Sequence, residues 1–64
     1  MDTFSIGRTI ANLRKKNKMT QLALAEQLGV SDKAVSKWER GAGYPEITQL
    51  PVLSEIFGVS ADFS

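Results

Sequence analysis

Apolar residues recur along this chain at spacings of three and four, the pattern of helices that each bury one face. Ile6, Ile10 and Leu13 form the first such stripe, and Asn17 and Lys18 close the helix that carries it. Thr20 is suited to cap a second helix, whose inward face is Leu24, Ala25 and Leu28. Gly29 then stands where a helix C-terminus takes a residue tolerant of positive φ. Ser31 can cap a third helix with Val35 and Trp38 three apart on its inner side, and Gly41 is its stop signal. Ala42-Gly43-Tyr44-Pro45 reads as loop.

A fourth helix is expected from about Thr48, because Pro51 then falls in its first turn, where a missing N–H costs nothing. Leu50, Leu53, Ile56 and Phe57 make its buried face and Gly58 ends it, after which Ser60 can cap a last short helix cut off at Ser64. No segment alternates with period two over the length of a strand. The expected fold class is all-α: one domain over residues 1–64, a compact bundle of four to five helices.

Composition narrows the chemistry. With no cysteine and no histidine, the chain lacks disulfides, thiolate metal ligands and the commonest general base. The remaining candidates for catalysis form no isolated pair, and there is no Gly-rich phosphate loop. The expectation is therefore no enzyme, no catalytic residue, no metal and no cofactor. The apolar runs are a few residues long, too short to span a membrane. The opening Met1-Asp2-Thr3 is acidic and no apolar signal region follows, so a cytoplasmic address is expected by elimination.

A net charge of +1 says little about partners, but its distribution says more. Residues 1–20 hold Arg8, Arg14, Lys15, Lys16 and Lys18 against Asp2 and carry +4, whereas residues 21–46 carry −1 and residues 47–64 carry −2. The cluster Arg14-Lys15-Lys16-Asn17-Lys18 suits a helix C-terminus facing solvent. It equally suits a phosphate backbone, and the residues alone leave both uses open.

The informative unit is Thr20 to Gly41: two short helices joined by Gly29-Val30-Ser31, a connection of the length used by helices that cross steeply. Val30 can plug the corner, and the third helix then protrudes with Asp32, Lys33, Ser36 and Lys37 on its polar side. Such an array can meet base edges in a major groove about 12 Å wide. Any amphipathic surface helix has a polar face, so the face alone is a weak signal. A single tryptophan on an inner helical face, as Trp38 is, belongs to the core rather than to a base-stacking platform.

The segments Met19-Thr20-Gln21, Leu24-Ala25, Leu28-Gly29-Val30-Ser31, Ala34 to Gly41, Pro45 and Leu53 to Ser60 resemble the phage-repressor-like (Xre/Cro) helix-turn-helix family over residues 6–62. The resemblance implies a lambda-repressor-like bundle with the helix-turn-helix at residues 20–41. It also implies sequence-specific binding of double-stranded DNA by a bacterial or phage-encoded, nucleoid-associated transcription regulator. The expected form is a repressor acting as a homodimer on an inverted repeat. By position it assigns base contacts to Asp32, Lys33, Ser36 and Lys37. Phosphate contacts fall to Gln21, Ser31, Lys15, Lys18 and Tyr44. Lys33 and Lys37 can reach guanine O6 and N7. Asp32 either accepts from an exocyclic amine or simply favours the helix N-terminus, and Tyr44 either approaches the backbone or packs over the fourth helix. The resemblance also implies that Arg14 and Glu39 pair as a structural bridge from the first helix to the end of the third.

Two departures matter. Where the family carries acidic residues after the glutamine, this chain has Leu22 and Ala23, which removes a capping-box carboxylate and threatens to expose Leu22. The chain also stops at Phe63-Ser64, short of the leucines that complete the family's fifth helix, so a fragment of a longer protein is expected ahead of the alternative, a minimal natural protein. Near-neutral charge, Asp32 and Leu22 leave one rival on the same fold: a protein-interaction module, an antitoxin for example.

Overall fold

The computed structural model describes residues 3–58, with side chains from Ser5 onward. Helix α1 runs Thr3–Lys16, α2 Gln21–Leu28, α3 Asp32–Glu39 and α4 Leu50–Phe57, with a single 3-10 turn at Ile47–Gln49. Among the described residues every element is helical. The expected last helix from Ser60 lies outside them.

Local chemistry accounts for the helix ends. The Thr20 hydroxyl oxygen accepts from the Ala23 N–H at 3.0 Å, and the Ser31 hydroxyl oxygen accepts from the Ala34 N–H at 3.2 Å. Each cap thus satisfies one of the donors that a helix start leaves open. With Ala at the third helical position, α2 has half of a capping box: the backbone donor is bonded, and no carboxylate returns the contact.

Three helix C-termini close alike, by an N–H reaching back five residues. These are Met19 N to Arg14 O at 3.0 Å, Val30 N to Ala25 O at 3.0 Å and Ala42 N to Lys37 O at 2.9 Å. The closure puts the preceding residue at positive φ, which is 72° at Gly29 and 75° at Gly41. At α1 the same position is Lys18, at φ 57°, a conformation that costs a side chain more than it costs glycine.

The fourth helix begins later than the apolar pattern predicts. Gln49 N donates to Glu46 O at 2.8 Å, a closure over three residues, and α4 proper starts at Leu50 with Pro51 in its first turn. Pro51 has no N–H to return to Ile47, so the turn before it tightens to 3-10 rather than extending the α-helix to Thr48. The Gln49 side chain, in place of capping α4, donates to Leu28 O at 3.2 Å and ties this turn to the end of α2.

The core is Ile10 from α1, Leu24 and Ala25 from α2, Val35 and Trp38 from α3, and Leu53 and Phe57 from α4. Ile6, Leu13, Leu28, Val30, Leu50 and Ile56 pack around it. Helix α3 packs against both α1 and α2, so its inner face is sealed. One residue makes the α1–α3 approach possible: a Cβ on Gly7 would stand 2.0 Å from the backbone oxygen of Trp38. Only a hydrogen fits there.

Candidate nucleic-acid interface

Burying Val35 and Trp38 leaves α3 with Asp32, Lys33 and Lys37 exposed and Ser36 half-buried on its outer side. Lys33 and Lys37 are four residues apart and therefore lie one above the other along the helix. Arg40, also exposed, follows seven residues after Lys33 and extends that row of cations at the helix end. Its Nε donates to Ser36 O at 3.3 Å, which steers the guanidinium along the helix. The apolar periodicity gives no reason to single out Arg40. Its i+7 relation to Lys33 is the signal that would have found it. An eight-residue helix is about 12 Å long, commensurate with a major groove of about 12 Å.

Ser31, at the head of α3, is exposed; its oxygen is engaged by Ala34, and its hydroxyl proton can still donate to an anion. Lys15 and Lys18 are exposed at the end of α1 and in the following turn, on a different element from the α3 row. Tyr44 lies in the loop after α3 and is 51% exposed. Leu22, in the first turn of α2, is 56% exposed.

Arg14, Gln21 and Glu39 come together from three helices. Arg14 Nε donates to Glu39 Oε2 at 2.7 Å and Arg14 Nη2 to Glu39 Oε1 at 3.0 Å, a bidentate pair whose side chains are 12% and 9% exposed. Arg14 Nη1 donates to Met19 O at 2.9 Å, holding the turn between α1 and α2. Gln21 Nε2 donates to the same Glu39 Oε1 at 3.1 Å. Burial of the carboxylate pushes the Glu39 pKa up, but hydrogen bonds from Arg14 and Gln21, with the positive charge of Arg14 and Lys15, outweigh it and hold the pKa below the usual value. The hydrogen bond to Glu39 likewise raises the Arg14 pKa against the effect of burial.

The Gln21 contact is not expected from the sequence, which assigns this amide to a phosphate. An amide nitrogen carries two N–H bonds, and one of them is directed at Glu39. Nothing in the local pattern at residues 20–23 announces a partner eighteen positions away. Among the described residues no group of carboxylates is placed to hold a metal ion, and no helix is long and apolar enough to cross a membrane.

The Helix-turn-helix family pattern matches residues 10–64. The chain belongs to this family. Among curated relatives, this helix-turn-helix chain is 47% identical over 53 residues to the HTH-type transcriptional activator BcrR of Enterococcus faecalis, covering 83% of this chain and 26% of that protein. It is 40% identical over 63 residues to repressor protein C2 of Salmonella phage P22, covering 98% of this chain and 29% of that protein. The helix-turn-helix chain thus spans little more than a quarter of these relatives.

Its fold matches the P22 c2 repressor in complex with a synthetic operator at a TM-score of 0.83 and 40% identity, covering 91% of this chain and 88% of that one. The bundle is therefore of the lambda-repressor-like type, as the resemblance implied. It also matches Fe(II) HppE in complex with substrate, at a TM-score of 0.84 and 29% identity, over 95% of this chain and 36% of that one. The fold thus occurs as part of longer chains.

Proposed function

We propose that this domain binds double-stranded DNA in a sequence-dependent way, as the reading head of a cytoplasmic transcription regulator. The observation that carries the proposal is the outer face of α3, where Lys33, Lys37 and Arg40 are exposed while the inner face is locked against α1 and α2. Lys33 and Lys37 contact base edges, with Ser36 and Asp32 refining the choice. Gln21, Ser31, Lys15, Lys18 and Tyr44 lie along the phosphates. The similarity to a repressor solved on its operator supports this arrangement.

Two copies on an inverted repeat, with half-site centres about 34 Å apart, fit a helix that is short and enters one groove. Relatives include both an activator and a repressor. Repression is the simpler reading, since occupying a promoter needs no further surface. No step of this function requires chemistry on a substrate, so the domain acts by binding and not as an enzyme.

Selection of bound duplexes from a random DNA library tests the proposal. An enriched inverted repeat is the expected result. Absence of any enrichment by the folded domain would overturn it. Binding should also weaken by orders of magnitude between about 50 and 200 mM salt, through release of counterions. On the selected site, Lys37→Ala should relax the preference at one or two base positions. Uniform weakening over all sequences would instead assign Lys37 to the phosphates. The exposed Leu22 and Ile47, the latter 80% accessible, favour a second reading as a protein-interaction module. That reading requires nearly flat salt dependence on DNA.

A further inference from the structure

We propose that Glu39 is a positioning residue for DNA binding, acting through the side-chain amide of Gln21. The inference rests on the proposed function, and in particular on Gln21 as a phosphate contact.

The geometry is specific about which way the amide faces. Glu39 Oε1 accepts from Arg14 Nη2 at 3.0 Å and from Gln21 Nε2 at 3.1 Å, while Oε2 accepts from Arg14 Nε at 2.7 Å. An ionised carboxylate only accepts, so it takes the NH2 end of the amide and repels the carbonyl end. Of the two flips open to a glutamine, Glu39 selects one. With one N–H committed to Glu39, the same nitrogen keeps a second N–H to donate, and the flip that would turn the carbonyl towards the carboxylate is disfavoured. Gln21 is the first residue of α2, where the open backbone N–H groups of the helix start also favour an anion. A phosphate needs donors, and the selected flip keeps a side-chain donor at that place.

Arg14 holds the carboxylate by two bonds and anchors itself to Met19 O at 2.9 Å, so the acceptor is itself fixed. In an unanchored glutamine, binding would have to choose both the rotamer and the flip. Ordering the amide beforehand removes that cost from the association. Glu39 is anionic and largely buried, and needs no contact with DNA to act in this way.

A thermodynamic cycle on the duplex obtained by selection tests the idea, using wild type, Gln21→Ala, Glu39→Gln and the double variant. Each is checked for folding by circular dichroism at the assay temperature. Gln21→Ala should weaken binding about tenfold and Glu39→Gln about three- to tenfold, with the double variant no weaker than Gln21→Ala alone. Penalties that multiply in the double variant would show that Glu39 only supports the scaffold, and would overturn the proposal. If Gln21→Ala leaves the affinity unchanged, Gln21 is no contact and the proposal falls, while DNA binding by the wild type stands untouched. Should Glu39→Gln fail to fold, Glu39→Asp in the same cycle supplies the second arm: it keeps the anion but shortens its reach towards Gln21 by one methylene, so it should weaken binding by the wild type and leave Gln21→Ala unchanged. An equal loss in both backgrounds would overturn the proposal.

Discussion

Replacing Gly7 by alanine should loosen the whole bundle, although the residue sits on an ordinary helical stretch. The added Cβ would lie 2.0 Å from Trp38 O, 3.0 Å from Trp38 C and 3.2 Å from Glu39 C. These are backbone atoms, so no side-chain rotation relieves them. Trp38 O is also held, since it accepts from the Gly41 N–H at 3.1 Å where α3 closes. To reach ordinary contact at 3.4 Å, α1 and the end of α3 must part by about 1.4 Å. That movement opens the packing around Ile10, Val35 and Trp38 and strains the Arg14–Glu39 pair. Overpacking a tight core costs about 3 kcal/mol at the upper end of its usual range. Alanine returns about 1 kcal/mol through helix propensity, leaving a net loss of about 2 kcal/mol. For a domain of this size, that lowers Tm by about 8–16 °C.

Urea and thermal unfolding followed through Trp38 read the change directly, because Trp38 is the chain's single tryptophan and is buried. Gly43→Ala is the matched control: its Cβ would meet only Trp38 Cδ1 at 4.0 Å, and it should change stability by less than about 0.5 kcal/mol. Without the close approach, alanine at position 7 would raise stability by about 1 kcal/mol through propensity alone. An unchanged or higher Tm for Gly7→Ala would therefore refute the reasoning.

The depressed pKa of Glu39 means that its contribution to stability is present above its ordinary value of 4.5 and is lost as pH falls through the lower folded value. The Tm difference between wild type and Glu39→Gln should thus be at least about 8 °C near pH 7 and shrink as pH falls below 4.5; a difference independent of pH would sink the assignment. At neutral pH the loss for Glu39→Gln should be about 2–4 kcal/mol, since the variant leaves Arg14 largely buried without its anion. Lys18→Gly should raise stability by about 0.5–1 kcal/mol, because glycine adopts the positive φ of 57° without strain. The same variant should reduce the salt slope of DNA binding by about one if Lys18 meets a phosphate. Thr20→Ala and Ser31→Ala should each cost about 1 kcal/mol in chemical denaturation by removing the caps on Ala23 and Ala34. No loss at either position would show that water replaces the cap.

The sequence by itself determined what depends on neighbours along the chain. Thr20 and Ser31 cap, Gly29 and Gly41 stop, and the stripes of Ile10, Leu24, Val35 and Leu53 turn inward, because each property is set within one or two helical turns. The same local logic placed Asp32, Lys33, Ser36 and Lys37 on one side of α3. It missed by two residues at α4, where the lack of an N–H on Pro51 tightens the preceding turn. The Arg14–Glu39 pair was legible only through family resemblance, since twenty-five residues separate the partners.

Tertiary structure alone decided the rest. Gly7 reads as a weak helix former until α3 crosses it, and only then does the missing Cβ become a requirement. Gln21 reads as a phosphate contact alone until the end of α3 brings Glu39 within 3.1 Å. Both depend on how closely and at what angle α1, α2 and α3 pack. That geometry is a property of the summed core, and no single segment encodes it.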